Sequence, residues 1–270
     1  EKARKLNLGV DMNFLKNHLT VSFDYFKERR NNILSNRNSA PMLIGASLPA
    51  YNMGEMENSG FEFDVNYRNK IRDFNYWGRF NYSFARNKIL FQDEVPEKYA
   101  YQMRTGRRVG QFFGLLSNGF YNSWEEINAL DRPVSSWNGN RLQPGDIRYV
   151  DVNKDGKIDM YDMVPIGYSP TPEIIYGFSA GFNWRGFDCS VLFQSVQGAS
   201  HVSIKYFGRA LWPFINAHNS AKTLILERWT QDRYDRGENI SFPRLSMSPS
   251  RDTDNNYQDS DFWIRNANYL

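Results

Sequence analysis

Short turns alternate with long connections along this chain, and the segments between them are apolar at every second residue. From 6 to 14, Leu6, Leu8, Val10, Met12 and Phe14 alternate with Asn7, Gly9, Asp11 and Asn13. Residues 18–28 repeat the pattern, with Leu19, Val21, Phe23 and Tyr25 against Thr20, Ser22 and Asp24, after the turn LKN. Side chains leave a strand on alternate faces, so each segment is a strand with one apolar and one polar face. A turn this short makes the two an antiparallel hairpin. The same reasoning predicts strands at 59–68 and 74–84 across RNKIRD, and at 173–184 and 187–196 across Arg185-Gly186. The last residues, 261–270, read as a seventh strand, and all seven are expected in sequential meander order. Connections between hairpins, about 28–58, 85–172 and 197–260, run to roughly 30, 90 and 60 residues, far beyond the usual 2–6.

An antiparallel transmembrane β-barrel explains this arrangement, with short turns at one membrane edge and long extracellular loops at the other. Strands of about 10 residues, tilted near 45°, cross a hydrocarbon band of about 25 Å. Aromatic residues make up 16% of the chain, and their positions agree with such a band. Phe14, Tyr67, Phe74, Trp184 and Phe187 fall at the short-turn edge, and Tyr25, Tyr82, Phe84 and Tyr176 at the opposite edge. Both sets belong to the apolar face, as interfacial girdles require. A soluble sandwich would bury the same aromatics in a core, but has little use for ten-residue strands joined by such loops. Mean hydropathy is −0.64, so no window approaches a membrane-spanning helix. The single cysteine, Cys189, is placed on the lipid face. A net charge of +3, evenly spread, gives no reason to expect nucleic acid. The N-terminal EKARKLNLGVDM has no apolar leader and runs directly into a strand, so the chain is expected to be part of a longer one.

One stretch breaks the alternation. Residues 151–162 read DVNKDGKIDMYD, with Asp151, Asn153 and Asp155 at alternate positions, Gly156 next, and acids at Asp159 and Asp162. A twelve-residue calcium loop takes side-chain oxygens at positions 1, 3 and 5, a turn glycine at 6 and a backbone carbonyl at 7. Positions 9 and 12 close the shell. Lys157 would supply the carbonyl. Position 12 is Asp162 rather than Glu, and its shorter arm implies a weaker Ca²⁺ site. A plain Asp/Asn/Gly surface turn is the alternative.

Catalytic constellations do not stand out. The sequence has no GxSxG, HExxH or P-loop, and His18, His201 and His218 are far apart in it. Glu125 and Glu126 lie in SWEEINAL, where Ser123 is placed to cap a short helical turn. No enzyme is expected.

Several segments carry a family resemblance: EKARKLNLGVDMNFLKNHLTVSFDYF, MGEMENSGFEFDVNYR, VGQFFGLLSNGFYNSWEEI and, above all, PGDIRYVDVNKDGKIDMYDMVPIGYSPTPEIIYGFSAGFNWRGFDCSVLFQSVQG. ERWTQDRY, FPRL and DFWIRNANYL share the style. Together they resemble the C-terminal half of SusC/RagA-type TonB-dependent outer-membrane transporters. That resemblance implies that 1–270 is one partial barrel domain, cut from a 22-stranded barrel in a Gram-negative outer membrane. It implies an N-terminal plug and TonB box outside this chain, a SusD-like surface lipoprotein as lid, and import of glycans or peptides. A passive pore or adhesion barrel would share the strands without the plug. A soluble calcium-stiffened carbohydrate-binding module would use DVNKDGKIDMYD as half a dockerin, but dockerins need two such repeats. Trp124, Trp137 and Trp212 are open to either sugar stacking or loop packing.

Overall fold

A computed structural model describes residues 1–39, 48–137, 142–202, 223–245 and 255–269. Long strands come first: β1 (Lys2–Phe14), β2 (Leu19–Ser35), β3 (Tyr51–Ile71) and β4 (Phe74–Phe91). Residues 92–173 carry the short strands β5 (Phe112–Gly114), β6 (Ser117–Phe120), β7 (Val134–Ser135), β8 (Ile147–Tyr149), β9 (Lys157–Ile158) and β10 (Val164–Ile166), with helix α1 (Trp124–Asn128). Two long strands return, β11 (Ile174–Trp184) and β12 (Phe187–Gln197). After them come β13 (Ser200–Val202), α2 (Gln231–Asp235) and β14 (Ile264–Asn266). The long strands form one open antiparallel sheet in the order β1-β2-β3-β4-β11-β12, the expected meander.

Local chemistry sets the turns. Arg185 and Gly186 both have positive φ (47° and 87°), the backbone of a two-residue hairpin turn matched to strand twist. RNKIRD is not a six-residue turn: Asn69, Lys70 and Ile71 pair with Tyr76, Asn75 and Phe74, leaving only Arg72-Asp73 between the strands. The strands also run further outward than the apolar alternation, because a ladder of backbone hydrogen bonds continues wherever water or lipid allows. In β2 the pairing shifts between Arg30 and Ile33, where Asn32 takes a positive φ of 58°.

Register shows how the sheet is tilted. The first turn lies at the row Leu19–Tyr67–Gly78, whereas the other two share the row Phe74–Trp184–Phe187, four residues away along β4. Four residues of stagger across four strand spacings, at about 3.3 Å and about 4.8 Å respectively, correspond to a tilt of about 35°. The apolar face of β4 runs from Phe74 to Phe84, which at that tilt spans about 27 Å, close to the apolar band of a membrane barrel.

Burial is inverted relative to a soluble domain. Leu8, Val10, Phe14, Phe178, Val191 and Phe193 are exposed on the apolar face. Among the described residues of the six long strands, only Val196 is a buried apolar side chain. The packed core lies instead in the connections: Leu115, Ile147, Tyr149, Ile158, Phe242 and Trp263 are buried together. A smaller cluster joins Tyr121, Ile127 and Leu142. The described residues from 92 to 172, within the connection 85–172 expected as a loop, are therefore a folded platform completed by residues after β12.

The expected seventh strand is mostly something else. Residues 261–263 form a 3₁₀ turn that buries Trp263, and only Ile264–Asn266 is strand, paired with Ser200–Val202. Trp263 anchors the platform core, which wins over the short alternation in DFWIRN. The chain then meets β12, where Val196 and Tyr269 exchange backbone hydrogen bonds of 3.0 and 3.1 Å.

Candidate functional site: the polar wall and its platform

The face opposite the apolar one is built for water. Ser22 donates to Asp11 at 2.6 Å, Thr20 to Asn13 at 3.0 Å, and the Arg79 guanidinium to Asp64 at 2.8 and 2.9 Å. Acids gather along its middle, with Asp11, Asp24, Glu62 and Asp64 in two neighbouring rows. Cations gather toward the short turns: Lys16, Arg68, Lys70 and Arg79 line a hollow of about 700 Å³ with His18 and Trp77. His18 Nδ1 lies 2.9 Å from the Arg68 carbonyl, so this histidine fixes the turn. The Trp77 ring lies over Gly181, where an added Cβ would come within 2.8 Å of it.

Where wall meets platform, one carboxylate joins three elements. Glu173 precedes β11 and is 6% exposed in its side chain. It accepts from Arg86 Nε and Nη2 at 3.0 and 2.7 Å, and from Arg108 Nε. Arg86 belongs to β4 and Arg108 to the platform, and Arg108 also lies over the Tyr168 ring at 5.2 Å. Burial alone would raise the Glu173 pKa, but the two guanidinium groups outweigh it and hold the carboxyl below the ordinary glutamate range. The backbone seals the same seam: Ala85 N–H donates to the Glu173 carbonyl at 2.9 Å, and Ile89 and residues 106–107 exchange bonds of 2.8 Å.

A second buried carboxylate locks the platform. Asp146 is fully buried against Arg244, with an Nε–Oδ1 distance of 2.6 Å, and accepts from Gln143 N–H and Asn256 Nδ2. Burial pushes its pKa up despite these partners. Its neighbour Gly145 has φ +94°, with the Trp229 ring where a Cβ would stand. Asn255 and Asn256 bracket Ile147: Asn255 Nδ2 donates to its carbonyl at 2.7 Å, and Asn256 Oδ1 accepts from its N–H at 2.8 Å. PGD and FPRL, far apart in sequence, thus meet in one polar core. Nothing local in PGD, FPRL or PTPEIIYGF marks Gly145, Asp146, Arg244 or Glu173 as structural keystones. Their only signal is an acid or an arginine inside an otherwise apolar or turn-rich motif.

The six residues of the calcium pattern lie in one hydrogen-bonded loop. Asp151 accepts from the amides of Asp155 and Gly156 at 3.2 and 2.8 Å, Asn153 Oδ1 from Asp155 at 2.9 Å, and Asp155 Oδ1 from Lys157 at 3.0 Å. The second half is organised differently. Asp162 is fully buried and accepts from the amides of Val152, Asn153 and Asp159, closing a capping box with Asp159. Burial raises the Asp162 pKa, although these amides oppose the rise. Among the described residues, no group of three or more His, Cys, Asp or Glu is arranged to hold a metal ion. The loop is pinned by β7 pairing parallel to β9 and by the Tyr101 hydroxyl, which donates to the Tyr161 carbonyl at 2.6 Å. Ser123 caps α1 as expected, accepting from Glu126 N–H at 3.3 Å. Trp137 packs against the platform core and Trp124 is exposed; Trp212 and His218 lie outside the described residues.

A tilted sheet that is apolar outside, polar inside and topped by a folded platform is the wall of a membrane-spanning barrel with its outer loops. The chain belongs to the family described as TonB dependent receptor-like, beta-barrel, whose model matches residues 1–185. It is 30% identical to TonB-dependent receptor P3 of Formosa agariphila over 73% of this chain and 20% of that protein. It is 24% identical to TonB-dependent receptor SusC of Bacteroides thetaiotaomicron over 70% of this chain and 19% of that protein. The chain therefore spans about a fifth of the length of these relatives. Among solved structures, the RagAB peptide transporter matches 98% of this chain and 27% of its own, at 18% identity and a TM-score of 0.66. Receptors of this kind are outer-membrane proteins and not enzymes. Among the described residues no helix is long and apolar enough to cross a membrane, which says nothing about crossing by strands.

Proposed function

We propose that this chain forms part of the wall and outer platform of a SusC-like importer, which takes up glycans or peptides in a TonB-dependent way under a SusD-like lipoprotein. The carrying observation is the division of one sheet into an exposed apolar face and a hydrogen-bonded polar face carrying both signs of charge. The platform supports the same reading, since a lid needs a firm outer surface to close on, and this one has its own core. Outer-membrane lipid covers the apolar face, and the polar face borders the transport path. The test is uptake of labelled oligosaccharides and peptides by cells carrying the full-length receptor, with and without TonB and the neighbouring lipoprotein. Uptake that collapses without either partner is the expected result. Uptake independent of both would mean a passive pore.

Within the platform, the loop 151–162 is proposed to bind Ca²⁺ weakly. Asp151, Asn153, Asp155 and the Lys157 carbonyl suit the first half of a calcium shell, because their hydrogen bonds already fold the loop around its own oxygens. Asp159 and Asp162 suit it less, because Asp162 is committed to backbone amides. An affinity of about 10⁻⁴–10⁻³ M, usual for extracellular modules, is expected. Hydrogen exchange over 146–165 should slow when calcium replaces EDTA, and Asp155→Ala should abolish the difference while the long strands stay protected. Identical exchange in calcium and EDTA would leave the acids as a turn.

A further inference from the structure

Beyond the aromatic row that ends the apolar alternation, the outward face changes character within a single residue pair. Leu8, Tyr25, Phe61 and Phe84 share that row. The next row outward on the same face is Leu6–Lys27–Ser59–Arg86, and the one beyond it is Arg4–Arg29–Glu57–Lys88. The Arg86 guanidinium lies 5.4 Å from the Phe84 ring centroid, which fixes it on the face of the aromatics. Five cations and one acid therefore occupy two rows directly continuous with the apolar band. Internal partners account for only part of this charge. Lys27 pairs with Glu57 at 3.0 Å, Arg29 with Glu55 at 2.8 Å and Arg86 with Glu173 at 2.7 Å. Arg4 and Lys88 are exposed and make no ion pair among the described residues. On the opposite face at the same height the charges balance, Lys5 and Arg30 meeting Glu28 and Glu1.

We propose that this outward cationic edge binds the phosphate groups of the lipid leaflet surrounding the platform end of the wall. The inference rests on the membrane-barrel reading above. Its physical basis is the place where the charge falls. A cation just beyond an aromatic row sits at headgroup depth, where an anionic surface attracts each Lys or Arg. Arginine adds paired N–H donors that match phosphate oxygens. Solubility alone would be served equally by acids, and the inward face at this height shows that mixed charge is available to these same strands.

The test uses the full-length receptor in phosphatidylcholine nanodiscs containing lipid A with both phosphates, or the same lipid chemically dephosphorylated. Mass spectrometry counts the lipid A retained per receptor. Wild type should retain the phosphorylated form on the order of tenfold better, a preference that high salt weakens. The triple variant Arg4→Gln, Lys27→Gln, Lys88→Gln should lose the preference, with Arg86 left alone because it holds Glu173. The inward pair Lys5→Gln, Arg30→Gln should keep it. Equal retention of the two lipids by wild type, or equal loss in the inward variant, would overturn the proposal while leaving the barrel intact. Failure of wild type to enter the bilayer at all would instead overturn the barrel reading.

Discussion

Glu173 shows how one side chain can hold a seam. Its carboxylate is nearly buried, and removing its charge would leave Arg86 and Arg108 facing a neutral group across the joint between wall and platform. Glu173→Gln should open the seam, raising hydrogen exchange at Ala85 and residues 106–109 on the order of tenfold, at a cost of about 1–3 kcal/mol. The pH dependence follows from the lowered pKa. The carboxylate's stabilisation is complete above the unfolded glutamate value, about 4.3, and is lost as pH falls through the lower folded value. Protection factors at the seam, which remove the intrinsic pH dependence of amide exchange, should therefore be flat between pH 6 and 7 and fall below about 4. Arg244→Ala should act on the platform itself. It strands the buried Asp146 carboxyl, at about 3–5 kcal/mol, and should expose 142–150 to protease while the long strands remain resistant. Neither residue was legible in the sequence as a site. An ion pair whose partners lie 98 residues apart, as in Asp146 and Arg244, has no local periodicity to reveal it.

At the scale of elements, the six long strands were readable because an apolar face must recur every second residue, whatever lies between. Their outer ends were not readable. Past Tyr25 and before Phe61 the alternation turns charged, yet pairing continues from Lys27↔Ser59 to Ser35↔Tyr51, since backbone hydrogen bonds need no apolar side chains. The platform was missed as a folded unit because its strands are two to four residues long. Its core also draws on segments from both sides of β11 and β12. Facing yields a contrast between neighbouring positions. Val65 sits mid-band in the row Val21–Val65–Phe80–Phe178–Phe193, while Ser22 sits inward beside Asp11 and Asp64. Val65→Lys should cost about 2–4 kcal/mol of barrel stability, and Ser22→Lys close to none. Heat-induced unfolding of the full receptor on unheated gels would show the difference. Equal sensitivity at the two positions would contradict the facing.

The molecule as a whole combines two folding strategies. The wall leaves its apolar side chains uncovered and depends on lipid to cover them. The platform buries Leu115, Ile147 and Trp263 completely and resembles a small soluble domain. The wall's two faces carry the functional reading, and the most direct measurement probes adjacent residues on β2. Single spin labels at Val21→Cys and Ser22→Cys, in a Cys189→Ser background of the full receptor, would be compared in a bilayer for collisions with oxygen and with a water-soluble nickel complex. The label at 21 should collide preferentially with oxygen, which concentrates in lipid, and the label at 22 with nickel. The reverse order, or two labels shielded from both reagents, would mean that the apolar face packs against protein and that the wall does not meet the membrane.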